Sequence, residues 1–290
     1  MPELPEVEIV LRGLNQLTLS QEITGGDVLL ARTIAHPLSV DEFLAGVKGV
    51  AIARWYRRGK YLLAELSKSS TQPGGWLGVH LRMTGQLLWL HPEALGQPLQ
   101  KHTRVRLFFA KERELRFVDQ RTFGQIWWVP SGVAVESVIT GLGRLGLDPF
   151  SAEFSVEYLA RLLQNRRRPI KNALLDQSVV AGLGNIYADE ALFVSGVRPE
   201  TLCTELQLRQ IERLRTAIIQ VLEASIAAGG TTFSNFLNLQ GINGNYGGVA
   251  WVYNRAGEPC RICGTPIQRL RLAGRSAHFC PQCQCASRGG

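Results

Sequence analysis

The first eight residues, MPELPEVE, hold two prolines and three glutamates. Two readings of this stretch stand. Proline is tolerated in a first helical turn and acids there suit the helix dipole, so the stretch reads as a capped, acidic helix start. It also reads as chemistry. Removal of Met1 would leave Pro2 as a free secondary amine with the Glu3 carboxyl one residue away. An amine beside an acid can attack an electrophilic carbon and protonate a leaving group.

A second set of chemical residues lies near the other end. Cys260 and Cys263 form one C-x2-C pair, and Cys280 and Cys283 form another sixteen residues on. Each pair puts two thiolates on one tight turn, and two such turns can share one tetrahedral Zn²⁺. A closed four-cysteine site has no open position for substrate, so this metal holds a shape. Cys285 is left over at the wrong spacing for a ligand, and Cys203 reads as a small buried hydrophobe. From Cys260 onward the chain carries Arg261, Arg269, Arg271, Arg275 and Arg288 and no acid, a surface suited to nucleic acid phosphates.

The elements that must position these groups are legible in outline. Residues 3–19 have apolar Val7, Val10, Leu11 and Leu14 at helical spacing. Then come VLLARTIA, GVAIARWY, KYLLAEL, WLGVHLRM, GQLLWL, RVRLFF, ELRFVD and QIWWV, short runs separated by turn residues. They predict an antiparallel β-sandwich or barrel with the opening helix laid against it. GLGRLGLDPFSAEFS reads as a linker. Helices follow: one capped by Ser155 and running to about Leu163, one from Pro169 to about Val180, one after Asn185, and a long one from about Leu206 to Ala227, closed by Gly229 and Gly230. TTFSNFLNLQGINGNYGG is a long Gly- and Asn-rich loop of the kind that is usually functional or disordered.

Several motifs sit at the joints of these elements. RWYRRGK (54–60) and NRRRPIK (165–171) are basic clusters. Each alone fits a solvated face, and three basic clusters in three elements fit a common groove. In VVAGLGNIYADEALF (179–193), Gly182 and Gly184 make a tight turn and Asn185 caps the next helix, a ready anion site. A plain helical hairpin explains that stretch equally well. HLRMTG (80–85) and DQRTFG (119–124) put Met83, Arg121 and Phe123 at strand turns. Such residues are usually core; if they project, they form an apolar wedge with a cation, able to fill the hole left by an extruded base.

The chain has 290 residues, 45% of them hydrophobic, and a formal net charge of +8. That length suits about two domains, and the charge is compatible with a polyanionic partner. Met1 to Ser20 lacks the basic-then-apolar order of a signal peptide, and the apolar runs are too short to span a membrane. A reducing cytoplasm, where clustered cysteines bind metal, is the expectation.

Taken in order, PELPEVE, HLRMTG, DQRTFG, GLGNIYADEALF, GGTTF and GEPCRICGTPI…GRSAHFCPQCQ resemble the formamidopyrimidine-DNA glycosylase family of bacterial base-excision repair, over essentially the whole chain. The resemblance implies an α+β multidomain protein: an N-terminal antiparallel β-sandwich with a leading helix, then a helix-two-turn-helix domain, ending in a four-cysteine zinc-finger hairpin. The corresponding boundaries are 1–140, a linker at 141–154, 155–254 with a lesion-recognition loop at 231–248, and 255–290. It implies a bifunctional glycosylase and AP lyase that removes oxidised purines through a Schiff base on Pro2 and cuts by β,δ-elimination. Glu3 is implied as the acid, and Lys60 and Arg275 as phosphate-gripping residues that support the chemistry. Met83, Arg121 and Phe123 correspond to residues inserted into the duplex; His102, Arg121, Arg167, Lys171 and Asn185 to further DNA contacts; Glu6, Thr231, Thr232 and Tyr246 to a lesion pocket. One structural Zn²⁺ on Cys260, Cys263, Cys280 and Cys283, no catalytic cofactor, duplex DNA with oxidised bases or abasic sites as partner, a monomer, and a bacterial cytoplasmic, nucleoid-associated location complete the expectation. The alternatives are an endonuclease VIII-like enzyme for oxidised pyrimidines and a zinc protein that binds lesions without cutting.

Overall fold

The structure is a computed structural model that describes residues 1–68, 72–91, 99–231 and 238–284. Chain contacts group it into two units. The first contains Met1–Gly143 and Ala228–Asn245, and the second Arg144–Ala227 and Tyr246–Gly290.

The first unit is a sandwich of two sheets. Strands β1 (Ile23–Val28), β2 (Ile34–His36), β3 (Ala51–Arg58), β4 (Tyr61–Ser67), β5 (Pro73–His80), β6 (Gly85–Leu90), β7 (Thr103–Phe109), β8 (Arg113–Asp119) and β9 (Gln125–Val129) order as β1-β7-β8-β6 and β2-β9-β5-β4-β3. Every pairing is antiparallel except β2 with β9. Alternating residues of both sheets, among them Ile52, Leu62, Val79, Leu87, Val105, Leu107, Phe117 and Ile126, fill one core. VLLARTIA, expected as one strand, is divided: Val28 ends β1 and Ile34 begins β2, with a helical turn at Ala31–Thr33 between them. The strand before it is ITGGDV, whose two glycines hide it from a hydrophobic pattern. Gly26 is required there, because a Cβ would lie 2.5 Å from the Arg106 carbonyl.

Helix α1 (Leu4–Leu17) buries Leu4, Val7, Val10 and Leu14 against this sandwich. Its docking is directional. The Asn15 side chain accepts from Trp55 N at 2.9 Å and donates to Trp55 O at 3.0 Å. Because β3 is an edge strand, this amide occupies backbone groups that would otherwise stay open. Trp55 Nε1 donates to Thr18 Oγ1 at 2.9 Å, fixing the far end of the helix. A short helix α2 (Val40–Val47), capped by Ser39, was not anticipated from the pattern.

The second unit holds helices α4 (Val156–Gln164), α5 (Ile170–Leu174), α6 (Asn185–Ser195) and α7 (Leu208–Ala227); a single turn, α3 (Val135–Val138), belongs to the first unit. Ser155 caps α4 as expected, accepting from Tyr158 N at 3.1 Å. The helix expected from Pro169 to Val180 ends at Leu174, and a turn built on Asp176 follows it. Helix α6 is buried on nearly every side. Strands β10 (Gln268–Leu272) and β11 (Arg275–Phe279) form the terminal hairpin, joined through Ala273 and Gly274, both at positive φ, as the twist of a two-residue turn demands. No helix among the described residues is long and apolar enough to cross a membrane.

Candidate active site and nucleic-acid interface

Pro2 and Glu3 are buried where α1 begins, Glu3 being 2% exposed. Glu6, one turn along, is fully buried, and its two oxygens serve different partners. Oε2 accepts from Glu3 N at 2.8 Å, and Oε1 accepts from Thr231 N at 3.0 Å. The carboxylate thus ties the chain's opening residues to the start of the Gly- and Asn-rich loop, inside one unit. Lys60 follows Gly59 (φ +57) in the β3–β4 turn and is 7% exposed. The Met1 amino group, one residue before Pro2, lies in the field of Glu3, Glu6, Lys60 and Arg121. Burial lowers its pKa from the ordinary value, Glu3 and Glu6 oppose that, and Lys60 and Arg121 reinforce it.

His80, at the end of β5, adds a group that the sequence reading did not single out. Its Nδ1 accepts from Arg82 N at 3.0 Å and its ring meets Tyr61 edge-on at 4.5 Å. Burial, with help from Arg82 and Lys60, pushes its pKa down to about 3. The ring is therefore neutral, with Nδ1 accepting and Nε2 left to donate. His102 is half-buried, with Nδ1 3.3 Å from the Arg104 guanidinium.

The HLRMTG and DQRTFG turns do project. Phe123 is 52% exposed, Arg121 is exposed with its guanidinium 4.9 Å above the Phe123 ring, and Met83 is half-buried. Both turns close on the buried carboxylate of Asp119.

In the second unit the basic cluster at 165–171 is mostly committed to structure. Arg166 and Arg168 both bind Asp176, at 2.9 and 2.7 Å, while Arg167 between them is exposed. Lys171, expected at a phosphate, is fully buried and gives its ammonium to Asp189 at 2.6 Å and to the Ser276 carbonyl. Asp189 also accepts from His278 N at 2.9 Å and lies 3.0 Å from His278 Nδ1. Helix α6 is thereby bolted to β11, and Arg275 stands exposed at the hairpin tip. Asn185 is the first residue of α6 rather than its cap; Gly184 takes that place in extended conformation. Its Oδ1 is buried and finds no hydrogen-bond partner among the described residues. Neighbouring Glu190 accepts from Trp251, Val252 and Tyr253 N at 2.7–2.9 Å and from the Tyr246 hydroxyl at 3.3 Å. Tyr246 thus belongs to the second unit, whereas Glu6 and Thr231 belong to the first. Thr232, with Cys285 and Arg288, lies outside the described residues.

The four cysteines converge. Their sulfurs all lie within 4.8 Å of one another, with separations of 3.5 Å for Cys263–Cys280 and Cys263–Cys283 and 3.8 Å for Cys260–Cys283. Tetrahedral Zn²⁺ at its usual thiolate distance spaces sulfurs by about 3.8 Å, so the set fits that ion. Backbone N–H groups of Ile262 and Cys283 point at Cys260 and Cys280 sulfurs, at 3.5 and 3.4 Å, support that thiolates need. Cys203 is buried and holds no partner role in this cluster.

Comparison with known proteins bears on this arrangement. Residues 1–126 match the formamidopyrimidine-DNA glycosylase N-terminal domain, 145–236 its H2TH domain, and 257–284 the zinc finger found in FPG and IleRS. The formamidopyrimidine-DNA glycosylase of Nostoc punctiforme is 77% identical over 284 residues, covering 98% of this chain and 96% of that one. The chain belongs to the formamidopyrimidine-DNA glycosylase family. It is a DNA glycosylase of base-excision repair, from a family of glycosylases with AP lyase activity, and it carries the family's structural zinc finger. Among solved structures, a Lactococcus lactis FPG mutant in complex with Fapy-dG-containing DNA superposes with a TM-score of 0.87 at 32% identity, covering 98% of this chain and 99% of that one. MutM in complex with carbocyclic 8-oxo-G-containing DNA gives 0.86 at 31% identity, over 98% and 99%.

Proposed function

We propose that this glycosylase removes oxidised purines, 8-oxoguanine and formamidopyrimidines, from duplex DNA through a covalent intermediate on Pro2 and then cuts the strand. The observation that carries this reading is the burial of Pro2 and Glu3 at the start of α1, where the buried Glu6 carboxylate binds Glu3 N. With Met1 removed, the Pro2 nitrogen attacks C1′ of the damaged nucleotide. The glycosidic bond breaks, its electron pair leaves with the base, and Glu3 supplies a proton as the sugar ring opens. The resulting iminium is an electron sink, so a C2′ proton is lost and the 3′ phosphate departs. A second elimination releases the 5′ phosphate, and water hydrolyses the iminium to free Pro2.

Lys60 and Arg275 hold phosphates near the reacting sugar in this reading, and His102, Arg121, Arg167 and Asn185 contact the strand elsewhere. Lys171 acts from beneath, by holding the hairpin that carries Arg275. Met83, Arg121 and Phe123 fill the space of the everted nucleotide, whose extrusion costs a few kcal/mol. Glu6 and Thr231, tied together in the first unit, border the extruded base in this reading. Abasic duplex is a second substrate, because the same amine condenses with a free sugar aldehyde. The enzyme works in the bacterial cytoplasm at the nucleoid.

Borohydride trapping on a duplex with 8-oxoguanine opposite cytosine tests this. A covalent adduct mapping to Pro2 is expected, and Pro2→Gly is expected to lose trapping and cleavage while still binding DNA. Cleavage by Pro2→Gly at the wild-type rate would overturn the mechanism. Efficient trapping on thymine glycol but not on 8-oxoguanine would make the enzyme a pyrimidine glycosylase.

A further inference from the structure

We infer that Asp119 and Thr84 are positioning residues that staple the two wedge turns into one rigid unit, so that Met83, Arg121 and Phe123 enter the duplex together. The inference rests on the wedge assignment made above.

The two turns come from different parts of the chain. Met83 lies between β5 and β6, and Arg121 and Phe123 lie between β8 and β9. Two pairings bring them side by side, β6–β8 with Gly85 opposite Asp119 and β5–β9 with His80 opposite Gln125. Each turn contains a non-glycine residue at positive φ, Arg82 at +53° and Thr122 at +57°, a conformation that persists only where surrounding contacts impose it. The Arg82 N–H is taken by His80 Nδ1 and its guanidinium by Gln125 Oε1, and the contacts that join the two turns' backbones converge on Asp119. Asp119, 1% exposed, accepts at Oδ2 from Gly124 N at 2.7 Å and at Oδ1 from Arg121 N at 3.2 Å, spanning its own turn. Oδ1 also accepts from the Thr84 hydroxyl of the other turn. That hydroxyl oxygen accepts in return from Arg121 N at 2.9 Å. Thr84 is thus both donor to the carboxylate and acceptor from the wedge arginine's own backbone. Gly124 lets the turn close, since a Cβ there would lie 2.4 Å from Phe117 Cζ and 3.0 Å from Asp119 Oδ2.

The function asked of a wedge explains why such a staple matters. Pushing into a stacked duplex spends binding energy on unstacking, and a compliant wedge returns part of it by bending away. The carboxylate is chemically specific for this task. It presents acceptors alone to an array of N–H and O–H donors, whereas an asparagine there would place an NH₂ against one of those donors and open one turn.

The test compares Thr84→Val, Thr84→Ser and Asp119→Asn with Met83→Ala and Phe123→Ala. Three readouts are taken under single turnover: excision of 8-oxoguanine from a fully paired duplex, cleavage at a preformed abasic site, and eversion followed by 2-aminopurine fluorescence beside the lesion. Thr84→Val and Asp119→Asn are expected to slow excision of the stacked base about ten-fold or more, because the cost of unstacking falls on the wedge. Abasic cleavage, with no base to unstack, is expected to stay within about two-fold of wild type. Thr84→Ser keeps the hydroxyl and is expected to match wild type throughout. Equal losses on both substrates, or Thr84→Val behaving as Thr84→Ser does, would overturn the staple. Should Asp119→Asn fail to fold, the two half-buried Thr84 variants decide alone. If Met83→Ala and Phe123→Ala leave stacked excision untouched, the wedge assignment itself is at fault. If they impair it and Thr84→Val does not, the staple alone is wrong.

Discussion

His80 shows how much one buried ring can do at the end of a strand. Its folded pKa of about 3 lies below the ordinary 6.5, so between those values the unfolded chain takes up the proton and the folded chain does not. The stability it supports is complete above pH 6.5 and drains away as pH falls toward 3. Urea melts at pH 7.5 and 5 are expected to show wild type losing about 1–2 kcal/mol more than His80→Gln over that interval. Parallel losses in the two proteins would show that the ring takes up its proton when folded. The sequence put His80 inside HLRMTG, yet Met83 and Arg121 drew the attention, because wedge chemistry names apolar and cationic side chains. Thr84, Asp119, Asp189 and Glu190 escaped for a related reason. Each joins groups far apart in sequence, Thr84 to Arg121 and Asp119, Asp189 to His278, Glu190 to residues 251–253, and no local spacing encodes such a partner.

Among the elements, α6 and the β10–β11 hairpin are held as a pair by a buried charge network. Lys171 and Asp189 are both fully buried, so removing Lys171 strips the buried carboxylate of its ammonium and leaves it to His278. Lys171→Ala is therefore expected to destabilise the protein by about 3–5 kcal/mol, measured by denaturant titration, and to speed zinc release to a chelating dye. Unchanged zinc release with lowered stability would separate the network from the hairpin. Periodicity located α1, α4, α7 and most strands, since each has one face that must be buried and a residue pattern to match, whereas α6, buried on nearly every side, was found from the glycine turn before it. It failed at α5, which stops at Leu174 because Asp176 organises a turn with Arg166, Arg168 and Ser178. It failed also at β1, where cross-strand packing room rather than side-chain hydrophobicity selects glycine. The cysteine spacing was fully legible, because a metal's geometry is short-range and leaves few alternatives.

For the molecule as a whole, the relevant quantity is charge that remains available to a polyanion. The formal net charge is +8, but much of the basic sequence is spent internally: Arg57 on Glu8, Arg106 and Arg116 on Glu114, Arg166 and Arg168 on Asp176. In the proposed reading, exposed cations such as Arg121, Arg167 and Arg275 remain available for phosphate contact. If about five phosphates are neutralised, log K is expected to fall with log salt at a slope of roughly −4 to −5. Titration of a fluorescent lesion duplex over a salt series measures it, and a slope near −1 would mean that the cationic surface is not what holds DNA.

The division of the chain has one further consequence, for the order in which the protein is made. The first unit ends its opening stretch at Gly143 and is completed only by Ala228–Asn245. Leu239, from that late segment, sits against Gly13 of α1 and accepts a backbone hydrogen bond from Trp89 at 2.9 Å. At about 5–20 residues per second, a ribosome delivers that segment roughly 5–20 s after the sandwich strands have emerged. Until then the nascent sandwich exposes an apolar seat beside α1 and an open amide on β6, and Glu6 awaits the Thr231 amide. Glu6, next to the chain's opening residues, therefore gains its bond to Thr231 only after the helices Val156–Gln164 to Leu208–Ala227 have been made.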